Sequence, residues 1–127
     1  LGNTVIAAHS NNVIRISGKT AAFSAGSMIA CNNSRFEFTI PSEGFDHIPL
    51  QVVGTASLDS TTGMKVNATA FVRGGSVTLV SAGALSSPVP ASNIVVTVKA
   101  GYSARTIQTS TAISVLVAPS ASILIVR

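Results

Sequence analysis

Thr106-Ile107-Gln108-Thr109-Ser110-Thr111-Ala112-Ile113-Ser114-Val115 interleaves apolar and hydroxyl residues, many of them β-branched. A period of two places one set on each face of an extended strand, so the segment predicts strands with one buried face and one lined by Ser and Thr. No charge falls between Thr106 and Val126, and no acidic residue occurs after Asp59. Charged residues make up only 9% of the chain. Surface charge ordinarily keeps a soluble monomer apart from its neighbours. A β-protein so poor in it is expected to cover much of its surface with other subunits.

The same pattern recurs along the chain. Val13–Ser17, Arg35–Ile40, Leu50–Leu58, Met64–Arg73, Ser76–Ser81, Ile94–Val98 and Arg105–Val117 read as strands, with shorter candidates at Thr4–Ala8, Thr20–Ser24, Met28–Cys31 and Ala121–Val126. Turn clusters such as Asn32-Asn33-Ser34, Asp59-Ser60-Thr61-Thr62-Gly63 and Gly74-Gly75 separate them. Asp59–Gly63 reads as the turn of a hairpin joining Leu50–Leu58 to Met64–Arg73. In the latter run Val66, Ala68, Ala70 and Val72 would share one face, with Lys65, Asn67, Thr69 and Phe71 on the other. No segment carries a sustained helical period. The expectation is a single all-β domain over residues 1–127: an antiparallel β-sandwich or jelly-roll-like barrel of about 9–11 short strands, with little or no helix. No fixed period with matching Gly or Pro emerges, which argues against a solenoid. Pro119 and the period-two hydroxyls argue against a membrane helix over Thr106–Val126.

Charge is unevenly placed. Residues 1–59 hold Arg15, Lys19 and Arg35 against Glu37, Glu43, Asp46 and Asp59, whereas residues 60–127 hold five cations and no acid. These cations are scattered and lack aromatic neighbours, so nucleic acid is not expected as a partner. The lone Cys31 excludes an internal disulfide and paired-cysteine zinc motifs, and reads as a small buried residue. Residues 1–17 lack the basic start and apolar core of a signal peptide. Asn32-Asn33-Ser34 and Asn67-Ala68-Thr69 have the form of glycosylation sequons.

Chemistry-bearing patterns are weak. Ser17-Gly18-Lys19-Thr20 resembles the tail of a phosphate-binding loop, but Val13 stands where its first glycine belongs and no helix follows. No G-x-S-x-G elbow singles out a serine. His9, His47 and the four acids have no spacing diagnostic of a metal site. Neither catalytic residues nor a metal or cofactor are expected. A carbohydrate-binding sandwich is disfavoured by the absence of Trp and the single Tyr102.

What remains is a non-enzymatic structural subunit of a large assembly. A virion surface protein, such as a capsid decoration or cement protein or a spike or fibre head, assembled in a host cytoplasm, fits first. A secreted pilus or biofilm-fibre subunit at a cell surface, joined by donated strands, fits second. Expected partners are copies of the chain and a larger shell or filament, with neither nucleic acid nor membrane. Interface candidates are Phe45, Asp46 and His47 in the irregular Pro41–Pro49 loop, Val5 and Ile6 near the N-terminus, and Ile123, Leu124 and Ile125 near the C-terminus.

Overall fold

Period-two patterning does produce strands nearly everywhere in the computed structural model, which describes residues 5–8, 13–30, 33–58, 60–85, 89–119. In chain order these are β1 (Val5–Ala8), β2 (Val13–Ser17), β3 (Phe23–Ala25), β4 (Ser27–Ala30), β5 (Arg35–Thr39), β6 (Leu50–Leu58), β7 (Gly63–Ala68), β8 (Gly75–Leu85), β9 (Ile94–Val98), β10 (Tyr102–Gln108) and β11 (Ala112–Pro119). Among the described residues the one helical piece is a single 3-10 turn, Ala91–Asn93.

The strands form two sheets. One runs β1-β4-β6-β8-β11-β10, with β3 also paired to β6; the other runs β2-β5-β7-β9. From β1 to β9 the chain alternates between the sheets, with β3 and β4 as one interrupted strand, and each new strand adds parallel to its predecessor. It is therefore a flattened coil. Each pass lays one strand in each sheet, and the crossovers that parallel pairing requires are supplied by the facing sheet and its corner loops.

This corrects the expected antiparallel pairing. Among the described residues only β8–β11 and β11–β10 pair antiparallel. It also corrects the hairpin expected around Asp59, because β6 and β7 lie in different sheets. The stacked passes also correct the expectation against a solenoid; no fixed period emerges because the passes differ in length. Val13 pairs with Arg35, 22 positions on, Arg35 with Gly63, 28 on, and Met64 with Ile94, 30 on. The other sheet keeps the same steps, from Val5 to Ser27, Met28 to Ala56 and Leu50 to Val80.

Both sheets turn one face onto a common core. Ile16, Phe36, Phe38, Met64 and Val66 come from one, and Met28, Leu50, Ala56, Leu79, Ile113 and Val115 from the other. Because paired residues in a parallel ladder share a face, the inward rows stack apolar on apolar, as in Ile16, Phe38, Val66 and Val96. The four-stranded sheet's outer rows are mostly polar: Arg15, Glu37 and Lys65 align and end on the exposed Val95, followed by Ser17, Thr39, Asn67 and Thr97.

Glycine makes a bend within the larger sheet possible. Gly26, Gly54 and Gly83 stack across three passes, with Gly54 N–H donating to Gly26 O at 2.9 Å. A Cβ on Gly54 would lie 2.8 Å from Gly26 O, and one on Gly83 would lie 2.6 Å from Val53 O. The β6 register shifts at this level, between Val52 and Thr55, which marks a bulge that bends the sheet. The connections that lead from the larger sheet to the four-stranded one are tied by side chains. Asn93 Nδ2 donates to Ser60 O and Thr62 O, and Thr61 Oγ1 accepts from Asn33 N–H.

The β10–β11 hairpin closes the late end of the coil. Its turn was hidden within the long Arg105–Val117 run, where Thr109 Oγ1 accepts from the backbone N–H groups of Thr111 and Ala112. Gln108 pairs with the Val89 backbone as a strand would, accepting from its N–H at 2.9 Å and donating to its carbonyl at 2.8 Å.

A candidate cleft at the corner of the coil

Three successive connections cross from the four-stranded sheet to the larger one on the same side. They are residues 18–22, 40–49 and 69–74. Each needs an unusual backbone, and glycine supplies it: Gly18, Gly44 and Gly74 have φ of 102°, 82° and 77°. The Phe71 ring edge lies 3.5 Å from the place a Cβ on Gly44 would take, an ordinary contact distance, so it is the positive φ that asks for glycine there. Phe71 is buried and Val72 exposed, the reverse of the face expected for the Met64–Arg73 run. The reason is that β7 ends at Ala68 and a turn, with Phe71 N–H donating to Ala68 O, resets the phase.

Charge links the three connections. Lys19 Nζ lies 2.9 Å from Glu43 Oε1, Asp46 N–H donates to Lys19 O, and Arg73 donates from one guanidinium nitrogen to Glu43 O at 3.3 Å. The hydrogen bond from Lys19 holds the Glu43 carboxyl below its ordinary range, and the same bond raises the Lys19 amine. The Lys19 hydrogen bond to Glu43 thus belongs to a corner clamp. Its Ser17–Thr20 setting is a turn leading to β3 with no helix behind it.

Between the second and third connections lies a cleft of about 430 Å³, lined by Glu43 to Ile48, Phe71, Arg73, Gly74 and Ser76 to Thr78. Phe71 and Val77 are buried. Phe45 is half-buried and packs against the core, whereas Asp46, His47, Arg73 and Ser76 are exposed. The structure thus brings together the three loop residues singled out from sequence. What sequence reasoning missed is the other wall, Arg73 to Thr78. Its signal was the loop-to-loop stacking of successive passes, invisible until the coil is recognised.

The other interface candidates fall elsewhere. Val5 and Ile6 lie in β1, at the edge of the larger sheet and paired to β4. Ile123, Leu124 and Ile125 lie outside the described residues, as do His9 and Cys31. Among the described residues no three His, Cys, Asp or Glu side chains gather to hold a metal ion. No helix there is long and apolar enough to cross a membrane. Comparison with family models, characterised proteins and solved structures gives no match.

Proposed function

We propose that the chain is a non-enzymatic structural subunit of a large assembly, read most specifically as a virion surface protein: a capsid decoration or cement protein, or a spike or fibre head, assembled in a host cytoplasm. In packing it is a two-layered β-sandwich with coiled connectivity; only the hairpin at its late end has the antiparallel pairing of a jelly-roll-like barrel.

The supporting observation is the contrast between the two outer faces. The four-stranded sheet presents Arg15, Arg35, Glu37 and Lys65 to solvent. The larger sheet presents Ser, Thr, Val, Ile, Leu and Ala, with Arg105 its single ionised side chain among the described residues. Val53, Ile29 and Ile107 are exposed on that face, Val53 by 67%. A broad, nearly uncharged sheet face is suited to being covered by a second protein surface, and the partners fitting this reading are further copies and a shell or filament. The alternative, a pilus or biofilm-fibre subunit outside the cell, draws on β1, an edge strand with one neighbour among the described residues.

Light scattering on the purified chain across a concentration series tests the reading. A defined oligomer, or particles that dissociate on dilution, supports it. A strict monomer at every concentration, with no affinity for a shell or filament, overturns it.

A further inference from the structure

The connection between β5 and β6 brings polar side chains into the corner cleft. Asp46, His47 and Ser76 line it with side chains exposed and without a side-chain hydrogen bond among the described residues. Arg73 spends one contact on Glu43 O, leaving most of its five N–H donors for other acceptors. Glu43 is occupied by Lys19.

The remaining charges decide what would fit. An anion attracted by Arg73 meets the Asp46 carboxylate in the same cleft, and a cation attracted by Asp46 meets Arg73. A neutral ligand able both to donate and to accept satisfies the two together. Phe45 adds a half-buried ring at the same wall, an apolar surface on which the C–H face of a sugar ring can rest. The cleft's volume is in the range that encloses a small molecule. We propose that the cleft binds a neutral saccharide, its hydroxyl groups bridging Asp46, His47, Arg73 and Ser76 while one ring face lies against Phe45. The absence of Trp does not forbid this, because Phe45 is among the residues that line the cleft.

The test is a titration of the isotope-labelled full chain, followed by amide NMR. The probes are the methyl glycosides of glucose, mannose, galactose and N-acetylglucosamine, with sodium sulfate as the anion control. Saturable shifts confined to residues 43–48 and 73–78 are expected for at least one glycoside and not for sulfate. Asp46→Asn, an exposed and nearly isosteric change, is expected to weaken that binding about tenfold by removing a charge-assisted acceptor. Ser76→Ala serves as a second variant, and an unchanged thermal midpoint in both shows the fold intact. No saturable response to any of the four glycosides overturns the proposal, as does a stronger response to sulfate or an unaltered affinity in both variants. Oligosaccharides cut from a bacterial envelope polysaccharide and from a glycoprotein, titrated in parallel, then identify the source by the tighter of the two. The particle mass of Asp46→Asn should equal that of the parent, because residue 46 lies in the 40–49 connection and not on the larger sheet's outer face.

Discussion

Gly83 shows how much a single missing side chain can decide. A Cβ there would press within 2.6 Å of Val53 O and 3.0 Å of Gly54 O, both backbone atoms that cannot swing aside. Gly83→Ala is expected to lower stability by about 1–3 kcal/mol, the usual range for overpacking, measurable as a reduced urea midpoint. The glycine column was legible in the sequence in principle, since Gly26, Gly54 and Gly83 recur at nearly equal intervals; seven other glycines of the ten obscured it. Glu37 carries a second residue-scale consequence. Hydrogen bonds from Arg15 first and from Arg35 hold its carboxyl below the ordinary range, against a smaller opposing effect of burial. A depressed folded-state value means that its contribution is complete above the ordinary carboxylate range and is lost as pH falls through the depressed value. Glu37→Gln should therefore melt slightly below the parent at neutral pH, and the two should converge in acid, as thermal melts from neutral to acidic pH would show. The pairs are solvent-exposed, so the effect is small.

At the level of elements, composition and alternation located most strands. Val13–Ser17, Leu50–Leu58 and Ile94–Val98 match β2, β6 and β9 end for end. Pairing was not legible, for a physical reason. Alternation fixes which side chains point inward, and both parallel and antiparallel neighbours accept that pattern. The decisive information lies in the crossovers, and here those are loops of unequal length. Gln108 illustrates an element held by one side chain, since its amide is the partner of both backbone groups of the buried Val89. Gln108→Leu should cost about 1–3 kcal/mol for each group left unpaired. Chemical denaturation should show the loss, and hydrogen exchange should show it concentrated around residue 89. The Phe45–His47 part of the cleft could be read from sequence because its loop interrupts the alternation. Arg73 and Ser76 could not, because they lie beside it only through the coil.

For the whole molecule, the informative contrast is between a charged sheet face and one carrying Arg105 as its single ionised group among the described residues. Leu116 lies on the latter beside Arg105 and Ser76, half-buried in the free chain. Leu116→Glu places a carboxylate on that face, on the strand next to its β10 edge. If the face is covered by further copies, the variant's mass in solution should fall toward that of one chain while its circular dichroism stays unchanged. A Lys65→Glu change on the opposite face should leave the mass where it was. Asp46→Asn should do the same, since the cleft lies at a corner.

A coil in which each pass leans chiefly on its neighbours shares its stability unevenly along its axis. The late end carries a hairpin stitched back onto β8, whereas β2 has a single neighbour, β5, among the described residues. Unwinding should therefore begin at the early end and travel toward the hairpin. Native-state hydrogen exchange would record this as a gradient, with β2 amides opening at lower cost than those of β7. A neighbouring subunit seated on the early end would act as a stopper, and the gradient should flatten once the particle is assembled.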